Sequence, residues 1–267
     1  MTSRELLARG ELPARELLIL LSHELGIDQA ALYRDIDRPL PTPSARRLQR
    51  QITKRRAGWP LQYVTGRAWF WSLPIEVGRG VLVPRPETET LVEAACRLAP
   101  QGGSLADIGT GSGAILAAMA VERPDLRLTG VDRSITALRY AEKNVDSRAQ
   151  LLQGDLCKPL SEPQDVIVAN LPYIPRATYA DLPADVRHEP RQALVGGADG
   201  LDPVRRLIRQ APEHLRPDGW LLLEVGDDQS DAVAALLARG GFREIFRQTD
   251  LAGVERVVGG RRACTPN

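Results

Sequence analysis

The sequence predicts an α/β fold. A mostly parallel seven-stranded sheet, its last strand antiparallel, follows a small N-terminal helical bundle. Three observations predict it. From about residue 91 onward, apolar runs of strand length alternate with helical patterns, the alternation that builds a parallel sheet. The last two strands, Arg243 to Thr249 and Glu255 to Val258, are joined only by Asp250 to Val254. So short a link favours antiparallel pairing, since a parallel crossover needs about a dozen residues. The first 65 residues carry leucines at helical spacing.

The helical region is expected over residues 1–65. Thr2 and Glu5 have capping-box spacing. Pro13 opens a helix with Leu17, Leu18, Leu21 and Leu25 on one face, and Gly26 is placed to end it. Asp28 starts a short helix through Tyr33. Thr42 and Pro43 start a longer one through Arg56, with proline in the first turn. That helix carries Arg46, Arg47, Arg50, Lys54, Arg55 and Arg56, read either as a solvated face or as a patch for an acidic protein or a ribonucleic acid partner. None of these helices is long enough to be stable alone, so they form a bundle.

Residues 66–90 form a connector read as a hairpin, with Gly78 and Gly80 at its turn. Trp69, Phe70 and Trp71 are expected to join the bundle to the larger domain or to floor a pocket. Pro84 and Pro86 fix the backbone on either side of Arg85. Glu87, Thr88 and Glu89 lead a helix through Leu98.

Residues 91–267 make the sheet domain. Its first strand, Ser104 to Ile108, runs into Gly109, Thr110, Gly111, Ser112 and Gly113 and then a helix from Ala114 to Glu122. Glycines here permit positive φ and close approach of a ligand, and helix-start N–H groups would face it. This is the strand–turn–helix of a Rossmann-like nucleotide-binding unit. The second strand, Arg127 to Val131, ends at Asp132, roughly 20 residues past the glycines, where an acid suits a ribose diol. Asp107, ahead of the glycines, suits an ammonium group or holds the loop in shape. Adenosine plus an amino acid describes S-adenosyl-L-methionine better than a dinucleotide.

A helix from Thr136 to Asp146 and a strand from Ala149 to Gln153 lead to Asp155 and Leu156, expected at the adenine. The strand Asp165 to Ala169 runs into Asn170-Leu-Pro-Tyr173. A long loop with Pro175, Pro183 and Pro190 follows and reads as a substrate-side lid. Pro203 to Leu215 is a helix, Gly219 to Val225 a strand, and Ser230 to Arg239 a helix ended by Gly240 and Gly241.

Composition narrows the function. A formal net charge of +1 gives no global attraction to nucleic acid. No apolar stretch reaches about 18 residues, so no membrane span is expected. The N-terminus shows no signal-peptide core. Cys96, Cys157 and Cys264 have neither metal nor disulfide spacing, which fits reduced thiols in a cytoplasmic protein. His23, His188 and His214 are scattered and are not expected to be catalytic.

The chain resembles the HemK/PrmC family of release factor glutamine methyltransferases over nearly its whole length. The likeness rests on Val83-Pro-Arg-Pro-Glu-Thr-Glu89, Asp107-Ile-Gly-Thr-Gly-Ser-Gly113, Asn170-Leu-Pro-Tyr173, Glu189-Pro-Arg191, Gly196-Gly-Ala-Asp-Gly-Leu201 and Asp250-Leu-Ala-Gly253. It implies methyl transfer from S-adenosyl-L-methionine, leaving S-adenosyl-L-homocysteine. The acceptor would be the glutamine of the Gly-Gly-Gln motif in peptide chain release factors, with the helical domain helping to dock that protein. An antiparallel last strand fits methyltransferase sheets. One departure stands out: the family usually has Asn-Pro-Pro-Tyr, and this chain has Leu171 at the first proline. Leu171 still precedes a proline and stays biased to extended backbone.

The chemistry suits these residues. An amide nitrogen is a poor nucleophile because its lone pair is delocalised. Placement is therefore the main demand. The Asn170 side-chain oxygen and the Leu171 carbonyl would each accept one amide N–H, and Pro172 and Tyr173 would pack on the flat group. Two acceptors favour an amide over a carboxylate, which has no N–H. The same arrangement would serve the exocyclic amine of a nucleic-acid base. A non-catalytic cofactor-binding adaptor is the third possibility, and the presence of Asp132 and Asn170 argues against it.

Overall fold

A computed structural model describes residues 1–263; Cys264 lies outside them. The chain divides into two compact units. The smaller is Met1–Arg67 with Pro183–His188, and the larger is Ala68–Leu182 with Glu189 onward.

The smaller unit is helical: α1 Ser3–Ala8, α2 Ala14–Leu25, α3 Gln29–Arg34, α4 Thr42–Arg56 and α5 Leu61–Thr65. The Thr2–Glu5 capping box forms in both directions, and Gly26 ends α2 with left-handed backbone. Asp28 caps α3 through the Ala31 N–H. Leu6, Leu17, Leu20, Leu21, Leu32, Leu48 and Ile52 make the core. Leu18 and Leu25, expected on the buried stripe, pack at its margin. The basic stripe of α4 is partly internal. Arg55 donates to Glu16 at 2.7 Å and 3.0 Å and lies 3.7 Å from Asp185. Arg47 donates to Glu24 at 2.7 Å and Arg56 to Glu11 at 3.2 Å. His188 stacks on Trp59 with ring centroids 5.1 Å apart.

The larger unit begins with a hairpin, β1 Arg67–Phe70 and β2 Leu73–Glu76. Its turn is at Trp71 and Ser72, with φ of 52° and 58°, and not at Gly78 and Gly80. Positive φ at both central residues is what a two-residue turn needs to match strand twist. Phe70 is buried, the Trp71 indole donates to Glu122 at 2.8 Å, and Trp69 is 68% exposed. None of the three lines the pocket described below.

Then come α6 Glu89–Leu98, β3 Ser104–Ile108, α7 Ala114–Glu122, β4 Arg127–Asp132, α8 Ile135–Val145, β5 Ala149–Gln153 and β6 Gln164–Ala169. The segment read as a lid is not open loop. It holds a 3-10 turn at Arg176–Asp181 and two single-turn helices, α9 Ala184–Arg187 and α10 Arg191–Leu194. Prolines at the start of each short turn set φ and cost no needed N–H. α11 Asp202–His214, β7 Leu215–Glu224, α12 Ser230–Arg239, β8 Phe242–Thr249 and β9 Glu255–Arg262 complete the chain.

The seven strands lie in the order β5-β4-β3-β6-β7-β9-β8. They are parallel from β5 to β7, and β9 is antiparallel to both neighbours. β9 runs beyond the expected Val258, through Gly259 and Gly260. A Cβ at Gly259 would sit 2.3 Å from the Phe246 ring, so that glycine makes room for an aromatic crossing from β8. β3 is buried along its whole length. The carboxyl ends of β3, β4 and β6 therefore open together, where ligands bind in such sheets.

Candidate active site

One pocket lies at these strand ends, within the larger unit. Gly109–Ser112, Asp132, Asp155, Leu156 and Asn170–Pro172 line it. Asp107, Gly113 and Tyr173 do not.

The glycine loop is held mostly by its own surroundings. Gly109, Gly111 and Gly113 have φ of 78°, 55° and 77°. The Gly109 and Thr110 N–H groups both donate to the Val131 carbonyl, at 2.7 Å and 3.0 Å. Gly111 N–H donates to Asp132 Oδ2 at 2.9 Å, and Gly113 N–H to the Thr110 carbonyl at 2.8 Å. Four loop donors are thus used internally, and of the helix-start N–H groups expected to face a ligand, Gly113 at the N-cap is among them. What the loop offers is a concave bare backbone. Gly113 serves packing: a Cβ there would come 3.0 Å from Ala141 on α8. Asn144 of α8 donates to the Ser112 carbonyl at 2.8 Å and braces the loop from behind.

Asp107 is fully buried and accepts from the Thr110 hydroxyl at 2.7 Å. Its Oδ1 has no hydrogen-bond partner. Burial pushes its carboxyl up to about 7, with the Thr110 bond pulling back and the Asp132 charge adding to the rise. Of the two roles weighed for it, the Thr110 bond is loop bracing. Asp132 accepts from Gly111 on one oxygen and from the Ser134 N–H at 2.8 Å on the other. Each oxygen keeps a second acceptor site, and Asp132 lines the pocket.

Asp155 is not a free acceptor: Arg206 of α11 pairs with it, and Lys158 lies 3.7 Å away. Leu156 holds φ of 55°, uncommon for a branched residue, and its side chain is buried at the pocket wall.

On the other side, Asn170 Nδ2 donates to the Thr88 hydroxyl at 3.0 Å. Beneath both lies Glu224, the last residue of β7, 3% exposed, with Oε2 unpartnered. Among the described residues, no backbone amide donates to the Leu171 carbonyl. The Leu171 side chain is buried and would touch a Cβ at Gly109 at 3.1 Å. The Tyr173 ring lies against Gly226, and burial, followed by the Glu224 charge, pushes its hydroxyl up to about 12.

Two motifs left without a chemical role in the sequence act as supports. Glu189 accepts from the Val83 N–H at 2.8 Å and pairs with Arg85, clamping the proline-rich run beside the pocket. A Cβ at Gly196 would sit 2.2 Å from the carbonyls of Pro172 and Gly200, and one at Gly200 would sit 2.0 Å from the Tyr173 carbonyl. Backbone packs directly on backbone there, and only glycine fits. Sequence reading missed Thr88, Arg206 and Glu224 as site residues. Glu224 had a signal: a lone acid closing the apolar run Leu221-Leu-Leu-Glu-Val225. Partners from 82 to 106 residues apart carried none.

Residues 2–66 match the PrmC N-terminal domain, and residues 87–186 match the methyltransferase small domain. A release factor glutamine methyltransferase of Moorella thermoacetica is 43% identical over 263 residues, 95% of this chain and 93% of that protein. The enzyme of that description from Geobacter sulfurreducens is 41% identical over 247 residues, 91% and 87% of the two chains. A methyltransferase structure from Pyrococcus furiosus superposes with a TM-score of 0.56 at 18% identity, covering 84% of this chain and all of its own. That likeness is one of fold.

Proposed function

The chain belongs to the family of release factor glutamine methyltransferases, and we propose that it methylates the N5 amide nitrogen of the glutamine in the Gly-Gly-Gln motif of peptide chain release factors, with S-adenosyl-L-methionine as donor. The donor supplies an electrophilic methyl group on a sulfonium. The pocket fits such a molecule. Bare glycine backbone at Gly109–Ser112 leaves room for its amino-acid part. Asp132 keeps acceptor sites for ribose hydroxyls, and Leu156 offers an apolar face to adenine. Asp155 would meet adenine only alongside Arg206.

The observation that carries the reading is the bond from Asn170 Nδ2 to Thr88. With its nitrogen held there, the Asn170 oxygen is the atom left for a substrate. Together with the Leu171 carbonyl it gives two acceptors for the two hydrogens of a primary amide. Holding both hydrogens aims the nitrogen lone pair, and placement is the main demand for a weak nucleophile facing a strong electrophile. Pro172 provides a flat wall. The clamp of Glu189 on Val83 and Arg85 and the glycines at 196 and 200 keep the acceptor segment in place. The helical unit is the candidate for docking the protein substrate. Incubating enzyme, donor and release factor and weighing the Gly-Gly-Gln peptide by mass spectrometry tests the reading. One added methyl on glutamine is expected; an unmodified peptide would overturn it.

A further inference from the structure

Glu224 is unused by this chemistry as it stands, yet it is a fully buried acid directly behind the residue that carries it. In the sheet, Leu223 of β7 is level with Ala169 of β6, which puts Glu224 beside Asn170. Five groups face it: the Thr88 hydroxyl and Asn170 as hydrogen-bonding partners, and Glu87, Arg256 and Tyr173 through charge.

We infer that Glu224 and Thr88 are positioning residues that fix which way round the Asn170 carboxamide sits, so that its oxygen and not its nitrogen meets the substrate amide. An asparagine side chain is nearly symmetric in shape, and a half-turn swaps acceptor for donors. Flipped, Asn170 would present N–H to N–H and reject a glutamine. Something must forbid the flip. A carboxylate can only accept, so it holds the Asn170 NH₂ on its own side. Thr88 reinforces this: its oxygen accepts from Asn170 Nδ2 at 3.0 Å, and its hydrogen is then free to go to Glu224. The chain Asn170 to Thr88 to Glu224 has one polarity while Glu224 is charged. A protonated Glu224 could donate instead, and the polarity would be lost. Burial pushes the Glu224 carboxyl up to about 7. The Thr88 bond, Arg256 and the Asn170 bond oppose this, and Glu87 adds to it. The switch from loose to fixed thus lies near neutrality, and a sulfonium donor nearby would move it lower.

This inference rests on Asn170 acting as an amide acceptor, and the experiment separates the two. Single-turnover rates on release factor and donor affinities by calorimetry are measured for the full chain. Glu224→Gln keeps shape but can both donate and accept. Thr88→Val keeps shape without the hydroxyl, and Thr88→Ser keeps the hydroxyl. Glu224→Gln and Thr88→Val should each lower the rate roughly three- to tenfold, the range for one hydrogen bond, with donor affinity unchanged. Thr88→Ser should stay close to the parent. In an Asn170→Ala background the same substitutions should do almost nothing, because there is no amide left to orient. The parent rate should fall with acid at or below about pH 7, and Glu224→Gln should lack that limb. If Asn170→Ala itself leaves the rate unchanged, the acceptor reading fails. If Asn170→Ala is slow but Glu224→Gln and Thr88→Val are as fast as the parent, or slow equally in the Asn170→Ala background, the positioning role fails. Identical pH profiles for parent and Glu224→Gln would also overturn it.

Discussion

β3 and β7 flank β6 on either side, and each carries a buried acid in its last two residues. Asp107 and Glu224 are alike in isolation: both are fully enclosed, both have one unpartnered oxygen, and burial pushes both up to about 7. Their neighbourhoods differ. Asp107 braces Thr110 in a loop whose three glycines take positive φ, so its surroundings are local in sequence. Glu224 faces Thr88 and Asn170, brought from far along the chain. On the proposed function, one acid belongs to the donor arm of the pocket and the other to the acceptor arm. Equal burial energetics therefore serve two different tasks, and only the contacts tell them apart.

Substitutions in the two arms should separate cleanly. The largest effect is expected on the acceptor arm's scaffold. Gly200→Ala puts a Cβ on the Tyr173 carbonyl at φ +85°. It should cost about 2–4 kcal/mol in denaturant unfolding and slow catalysis, with donor affinity least changed. Next is Asp132→Ala on the donor arm, which should weaken donor binding by about 1.5–3 kcal/mol in calorimetry. The matching change on the acceptor arm, Asn170→Ala, strands a substrate N–H at about 1–3 kcal/mol. Its kcat should fall about tenfold with the donor's Kd unmoved. If Asn170→Ala changes donor affinity as much as Asp132→Ala does, the two arms are one site and the division is wrong.

pH probes the likeness of the two acids. Unfolded, they titrate near 3.9 and 4.3; folded, near 7. Between those values the folded chain holds more protons, so their contribution to stability falls as pH rises from about 4 to 7. Asp107→Asn and Glu224→Gln should each flatten that fall in Tm by similar amounts. A fall flattened by one variant alone would show that the acids are unlike in burial too. The smallest effect is expected from Leu171→Pro, at most about 1 kcal/mol in either direction. Leu171 packs at Gly109 and so joins the arms. A change in donor affinity from that substitution would measure their coupling.

The donor arm was the readable one. Its features are local: an apolar strand, glycines where φ must be positive, an acid closing the next strand. The antiparallel last strand followed from a link length, and the strand order came only from the structure. The misplaced hairpin turn had a specific cause, since Trp71 and Ser72 take a backbone usually left to glycine or asparagine. β9 runs past Val258 because Gly259, which carries no side chain to signal a strand, is a berth for Phe246. The acceptor arm was half visible. Asn170 announced itself by motif, but Thr88 and the Glu189 clamp are defined by partners far away in the chain. No periodicity encodes such pairs.

The six residues Pro183–His188 have a consequence for engineering. They belong to the helical unit although the chain reaches them only after most of the sheet has been laid down. The backbone passes between the units three times, after Arg67, Leu182 and His188. A cut near residue 67 therefore does not excise the bundle; it orphans His188 from Trp59 and Asp185 from Arg55. Anyone exchanging the helical part between relatives to transplant partner choice must move a split cassette, residues 1–67 together with 183–188, and the short piece must be inserted in frame inside the recipient's catalytic half.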